Sequence, residues 1–309
     1  MKILVTGGAG FIGSNLVEAL VEKDHGVAVL DDFSKGSMEN LDAVKNEIEV
    51  VSGDIRDFQT VKKATKDIDI VFNQAAASSS PMFLQDLRSA VSVNVDGFIN
   101  LLNACRINGV KKLIYASTSS IYGNNKPPLQ EDMQVWPVNF YSTTKLLNEH
   151  FAMLFGREYG LETIGFRYMS IYGPHEKSKG VFANMASQFL WVMQRNEQPV
   201  VYGNGAQTRE FTYVADVVDA NLLAMNSKEN LSGEVFNVGT GKSTSLNELV
   251  AIINTLLGKN IKPEYVTNTA KNYIHMQLSD ISKIKKVLGY EPEYDLEQGL
   301  KKTIERGAM

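Results

Sequence analysis

The sequence predicts an α/β chain built on a doubly wound parallel sheet, followed by a smaller α/β unit. Three observations carry this expectation. Short apolar runs alternate with helical patterns, a glycine-rich turn joins the first run to the first helix, and an acid ends the second run. Ile3-Leu4-Val5 reads as the first strand, and Ile12, Leu16, Val17, Leu20 and Val21 then recur at helical spacing. Val27–Leu30 reads as the second strand, ending at Asp31. Further strands are expected at Glu49–Val51, Ile68–Phe72, Lys112–Ala116 and Thr163–Phe166. Helices are expected near Phe58–Thr65, Val91–Ile107 and Tyr141–Tyr159. Continuous apolar strands separated by helices need cover on both faces, which makes residues 1–170 a Rossmann-type sheet. Residues 171–309 are expected to form the second α/β domain, with part of 211–240 returning to the first. There, Gly180–Arg195 reads as a helix, Val200–Gly205 as a strand entering a turn and Val235–Gly239 as a strand. Leu246–Leu257 reads as an amphipathic helix, and Asp280–Leu288 as a short one stopped by Gly289 with Pro292 beyond.

Composition excludes several classes. Of 309 residues, 44% are hydrophobic and 21% charged, the balance of an ordinary globular chain. The net charge of −4 offers no basic excess for a nucleic-acid backbone, so no such partner is expected. A single cysteine, Cys105, excludes a disulfide framework, and four scattered histidines show no metal-ligand spacing. No apolar run reaches the ~18–20 residues of a membrane span. Met1–Val5 runs straight into the glycines, without room for a signal peptide, so a cytoplasmic protein is expected.

Gly8-x-Gly10-x-x-Gly13, with Gly7 before it, follows a strand and opens a helix. Glycines let backbone amides approach a pyrophosphate, and the helix N-terminus favours that anion. Asp31 lies about 20 residues on, where a carboxylate meets the adenosine ribose. That charge repels a 2′-phosphate, which favours NAD over NADP; a purely structural glycine turn is the alternative. Asp54-Ile55 follows the third strand, as an adenine contact or as a cap for the helix at Phe58. After the fourth strand, Asn73-Gln74-Ala75-Ala76 leaves room for a dinucleotide crossing the sheet. Asn94 is either a buried anchor or a surface position.

Tyr141 and Lys145 stand one helical turn apart. An adjacent ammonium lowers a phenol's pKa, which would make Tyr141 a general base near neutral pH. An exposed, idle pair is the alternative. The preceding strand ends in Ala116-Ser117-Thr118-Ser119-Ser120, offering hydroxyls where a nicotinamide should lie.

These segments resemble the extended short-chain dehydrogenase/reductases of the nucleotide-sugar epimerase/dehydratase group. The resemblance also rests on Asp31–Gly36, Gly53–Asp57, Ser117–Gly123, Arg167–Pro174, Arg209–Val214, Phe236–Gly241 and Leu278–Lys283, nearly end to end. It implies NAD as cofactor. The implied contacts are Gly7, Gly10, Phe11, Ile12, Gly13, Asp31, Asp32, Phe33, Ser34, Lys35 and Gly36, then Asp54, Ile55, Gln74, Ala75 and Ala76. Asn94, Ser117 and Met169 complete them, with Lys145 on the nicotinamide ribose. Tyr141 is the implied base, Thr118 the hydroxyl partner, and Ser119, Ser170 and Arg209 the implied substrate contacts, Arg209 on the nucleotide diphosphate. The chain departs from the family pattern in four places. Ser170 replaces an Asn, the late phosphate-binding Arg falls at Ala270 with Lys271 as a stand-in, a nearby acid becomes Tyr273, and the position bearing on N-acetyl acceptance is Gln277.

Dehydratases of the group carry an Asp-Glu pair after the catalytic Thr; Ser119 and Ser120 stand there and cannot supply that acid and base. What remains is epimerisation at C4 of a nucleotide sugar, most simply a UDP-hexose, through a 4-keto sugar. The resemblance also implies a homodimer, paired through the helices at 91–107 and 141–159. Two other readings stay open: a dehydratase or net oxidoreductase of the same group, and a dinucleotide sensor without catalysis.

Overall fold

The computed structural model describes residues 1–269 and 273–307. Its first half runs β1 (Lys2–Thr6), α1 (Phe11–Val21), β2 (Gly26–Asp31), β3 (Ile48–Ser52), α2 (Phe58–Ala64) and β4 (Ile70–Asn73). Next come α3 (Ser80–Gln85), α4 (Leu87–Asn94), α5 (Asp96–Asn108), β5 (Lys112–Thr118), α6 (Phe140–Tyr159) and β6 (Glu162–Tyr168). The second half begins β7 (Ile171–Tyr172), α7 (Met185–Gln194), β8 (Val200–Tyr202), β9 (Thr208–Arg209), β10 (Thr212–Tyr213), α8 (Val214–Asn226) and β11 (Glu234–Val238). It ends β12 (Thr244–Ser245), α9 (Leu246–Leu257), β13 (Glu264–Val266), α10 (Ser282–Leu288) and α11 (Leu296–Gly307). No helix among the described residues is long and apolar enough to cross a membrane.

Seven strands form one parallel sheet in the order β11-β6-β5-β4-β1-β2-β3. Side chains alternate between its faces. Ile3, Val5, Val29, Phe72 and Ile114 join the core beneath α1 and α8, while Leu4, Leu30, Val71 and Leu113 join the one beneath α2 and α5. The chain winds outward from β1 in both directions, so the connections diverge between the carboxyl ends of β1 and β4. That divergence opens a crevice, the usual ligand position in such sheets. At its floor the Thr6 hydroxyl donates to Asn73 Oδ1 at 2.6 Å. The long excursion after β6 returns as β11, which pairs along β6 from Ile164 to Tyr168.

Two expected helices differ. The run at 91–107 is two helices broken at Val95, because the Asn94 carbonyl accepts a hydrogen bond from the Asn148 side chain at 2.8 Å. The run from Gly180 begins as a helix only at Met185, capped by the Asn184 side chain. Gly180 itself, at φ +54°, sits in the 3₁₀ segment Glu176–Phe182.

Candidate active site

The crevice begins at the glycine loop. Gly7 has φ +68°, and a Cβ there would lie 2.5 Å from the Ala75 nitrogen across the divergence. A Cβ on Gly13 would lie 2.1 Å from the Gly7 carbonyl oxygen. α1 starts at Gly10 with no side-chain cap and no acid in its first turn. Its first amides therefore face the loop without a protein partner, an arrangement suited to a phosphate. Phe11 is buried and Ile12 half-buried beside it.

Asp31, at the end of β2, is buried. Its Oδ2 accepts from the Ala9 amide at 2.9 Å and its Oδ1 from the Phe33 amide at 2.8 Å. Burial raises its carboxyl above the usual range, and these two bonds oppose that. Each oxygen keeps a lone pair for a ribose hydroxyl. Asp32 is tied to Ser34, Gly36 packs on Ala9, and the Lys35 ammonium lies 5.0 Å from the Phe182 ring, so residues 32–36 fold over the loop. Asp54 is not the helix cap; Asp57 caps α2, while Asp54 pairs with Arg56 at 2.5 Å. Ile55 is buried against Gly97 of α5. Gln74 donates to Tyr168 Oη at 3.3 Å, and Ala75 and Ala76 are half-buried beside it. Asn94 is buried, its side chain spanning the amide and carbonyl of Ala77 and the Thr144 hydroxyl.

The Asn139 side chain caps α6 and sets Tyr141 in its first turn. The phenol stands against the Phe83 ring, with 5.9 Å between centroids, and shares a hydrogen bond with the Thr118 hydroxyl. Burial raises the phenol's pKa above its usual range and that bond offsets only part of the rise, so the lowered pKa expected from the sequence is not found. The sequence assigned the downward pull to Lys145; the structure resolves only Thr118's. The Lys145 ammonium donates instead to the Ala116 carbonyl at 3.0 Å, and burial brings its pKa down to about 8 against the pull of Glu149.

Ser119, Ser170 and Gln277 form one chain behind Thr118. The Ser170 hydroxyl donates to Gln277 Oε1 at 2.8 Å, and Gln277 Nε2 donates to Ser119 Oγ. Met169 is buried there, its amide bonded to the Val238 carbonyl. Arg209 on β9 is half-buried with its guanidinium 5.2 Å from the Tyr273 ring centroid, and it makes no ion pair among the described residues. Burial lowers its pKa, the Tyr273 phenol opposing. A partly buried cation without a carboxylate partner is suited to an incoming anion. Beyond Tyr273 opens a cavity of about 380 Å³ that also meets Tyr202, Gln207 and Met276. A second, of about 470 Å³, lies along β6 and β11 and holds none of the expected site residues. Lys271 and Ala270 fall outside the described residues.

Sequence reasoning overlooked two parts of this region. Glu210 is buried, and accepts from the amides of Thr240 and Gly241 and from both amide and hydroxyl of Ser279. It clamps the loop after β11 to the segment carrying Gln277. Glu149, paired with Arg167, was also missed, although it follows Lys145 at the spacing by which Lys145 follows Tyr141.

The family model for the NAD dependent epimerase/dehydratase family matches residues 3–239. A putative UDP-glucose 4-epimerase of Methanocaldococcus jannaschii is 36% identical over 305 residues, covering 98% of this chain and 97% of its own. The crystal structure of UDP-glucose 4-epimerase from Thermotoga maritima with UDP-glucose superposes with a TM-score of 0.94 at 35% identity, covering 100% and 99% of the two chains. UDP-glucuronic acid 4-epimerase from Bacillus cereus, in complex with UDP-glucuronic acid and NAD, gives 0.91 at 28% identity over 99% and 98%. The glycine cradle and Asp31 fit what these likenesses indicate: the chain belongs to the NAD-dependent epimerase/dehydratase family, and its cofactor is NAD.

Proposed function

We propose that the chain is a nucleotide-sugar 4-epimerase acting on UDP-glucose and UDP-galactose, as a cytoplasmic homodimer. The observation that carries this is the Tyr141–Thr118 hydrogen bond beside Lys145, with only serine hydroxyls at the two positions after Thr118. Residues 1–170, with part of 211–240, hold the cofactor, and the remainder holds the sugar nucleotide. The amides of Phe11, Ile12 and Gly13 at the start of α1 hold the pyrophosphate, Asp31 the ribose, and Lys145 the nicotinamide ribose. Bound NAD supplies an electron-pair acceptor that returns what it takes, so no net redox results. Tyr141 Oη takes the proton of the sugar 4-hydroxyl as C4 becomes a ketone, then gives it back after the sugar has turned over. Thr118 holds that proton's path, and a phenolate is stabilised by its hydroxyl. Ser119 and Ser120 do not titrate near neutral pH, so elimination of water has no acid–base pair there. Arg209 grips the diphosphate. Ile107 on α5 and Leu147 and Leu154 on α6 are exposed apolar side chains on the helices through which two copies would pair.

Proton NMR of the purified protein with NAD and UDP-glucose, UDP-N-acetylglucosamine or UDP-glucuronate in separate tubes tests the reading. The expected product is UDP-galactose at unchanged mass. Product lighter by one water would replace the reading with a dehydratase, and net consumption of NAD with an oxidoreductase. Arg209→Ala is expected to weaken UDP-glucose binding about tenfold or more, the loss of a charge-assisted contact, with NAD affinity unchanged. Calorimetric titration of each ligand checks it, and equal loss for both would remove Arg209 from the diphosphate.

A further inference from the structure

Tyr141, Lys145 and Glu149 follow one another at four-residue steps along α6, so the face bearing the phenol and the ammonium bears a carboxylate one turn on. Glu149 is buried, and the chemistry above makes no use of it. Its Oε1 accepts from Ser117 Oγ and from Arg167 Nε at 3.1 Å, and its Oε2 from Arg167 Nη2 at 2.8 Å. Arg167 Nη1 donates onward to Tyr122 Oη at 3.0 Å and to the Glu131 carbonyl at 3.2 Å.

One carboxylate therefore ties three elements of the site together. Through Ser117 it holds the end of β5, where Thr118 follows. Through Arg167 it holds β6. Along its own helix it faces Lys145. Lys145 has Tyr141 and Glu149 one turn away on either side along α6; the titratable and charged groups that face Glu149 are Tyr115 on β5 and Arg167 on β6, Arg167 in turn meeting Tyr122 on the 3₁₀ turn Ser119–Tyr122. Of the charged groups, Glu149 is the one whose charge opposes the lowering of the Lys145 pKa by burial. An ammonium drawn out of water tends to lose its proton, and a nearby negative charge opposes that loss.

Taking Lys145 as the working cation of the reading above, we propose that Glu149 is a positioning residue: its carboxylate, braced by Arg167, keeps the Lys145 ammonium protonated and fixes Ser117 so that Thr118 meets Tyr141. Two consequences separate this from a role in packing alone. Loss of the carboxylate charge lets Lys145 deprotonate at lower pH, and the alkaline limb of turnover follows it down.

The test uses the NAD-bound protein labelled with ¹³C at lysine Cε, Lys145 being assigned from the spectrum of Lys145→Met. The variants are Glu149→Gln, Glu149→Asp and Glu149→Gln/Arg167→Gln. In Glu149→Gln the acid dissociation constant of Lys145 is expected to rise about tenfold, and Glu149→Asp to restore it to within about threefold of the parent. Where the single Gln variant fails to fold, because it strands the Arg167 charge in the interior, the double variant carries the same expectation without that stranded charge. A folded, NAD-binding double variant whose Lys145 titrates as in the parent overturns the proposal, as does a lower melting temperature with an unmoved titration. Absence of any epimer from the parent at every pH, with the Lys145 titration moving as stated, would sink the epimerase reading and leave the positioning role standing.

Discussion

Tyr141→Phe is expected to lower turnover about a thousandfold while leaving the bound NAD content unchanged. The phenol oxygen is the one group that meets both the Thr118 hydroxyl and the place of the reacting sugar oxygen in the proposed chemistry. The ring contact with Phe83, at 5.9 Å between centroids, survives the substitution, so the helix keeps its seat and the loss falls on the chemical step. The Thr118 oxygen keeps a partner in the variant, since it accepts from the Ser120 amide at 3.1 Å. Turnover by coupled assay and NAD content by absorbance after denaturation check it. Turnover within about tenfold of the parent would remove Tyr141 from the role of base.

Gly13→Ala is expected to weaken NAD binding about a hundredfold and to lower the melting temperature. A Cβ at Gly13 meets the Gly7 oxygen at 2.1 Å and the Gly7 carbon and Gly8 Cα at 2.8 Å, all of them backbone atoms that cannot rotate away. The loop must open, and Gly7 is itself pinned against Ala75. Moving even two amides out of reach of a pyrophosphate forfeits about 3 kcal/mol, which is about a hundredfold in affinity. Overpacking adds about 1–3 kcal/mol against the fold. Gly10→Ala is the control: its Cβ comes no closer than 3.2 Å to the Gly7 oxygen, and its φ of −80° suits any residue. Fluorescence titration with NADH across the two variants checks the contrast, and equal affinities would show that the crowding at Gly13 is not what holds the loop.

The cradle was legible because its chemistry is local. Gly7, Gly13 and Asp31 lie within one strand–turn–helix–strand passage, and Tyr141 and Lys145 lie one turn apart on the single helix α6. What was not legible depended on distant partners. The break at Val95 is made by Asn148, more than fifty residues on, by the side-chain bond to Asn94. Helix α8 shows a blurred stripe in the sequence because Asp216 and Asn221 are buried with Val214, Val217, Val218, Ala220 and Leu222, while the exposed positions Asp219, Leu223 and Asn226 include an apolar side chain. The two-residue strands β9 and β12 exist only because each pairs with the other. The source of the downward pull on Tyr141 was misread for a similar reason. Helical spacing places Lys145 beside the phenol, but only the packed structure shows the ammonium turned to the Ala116 carbonyl and Thr118 in its place.

The return of β11 to the edge of the main sheet has a consequence for assembly. The chain from β7 to α8 leaves the sheet at β6 and rejoins it at the adjacent β11, yet it does not hang free: α8 packs back on the sheet against α1 and β5, and β8 and β9 pair with β13 and β12. During synthesis, this excursion leaves β6 with an open hydrogen-bonding edge until residue 238 has emerged, so the sheet closes late and its last strand guards against mispairing with a neighbouring chain.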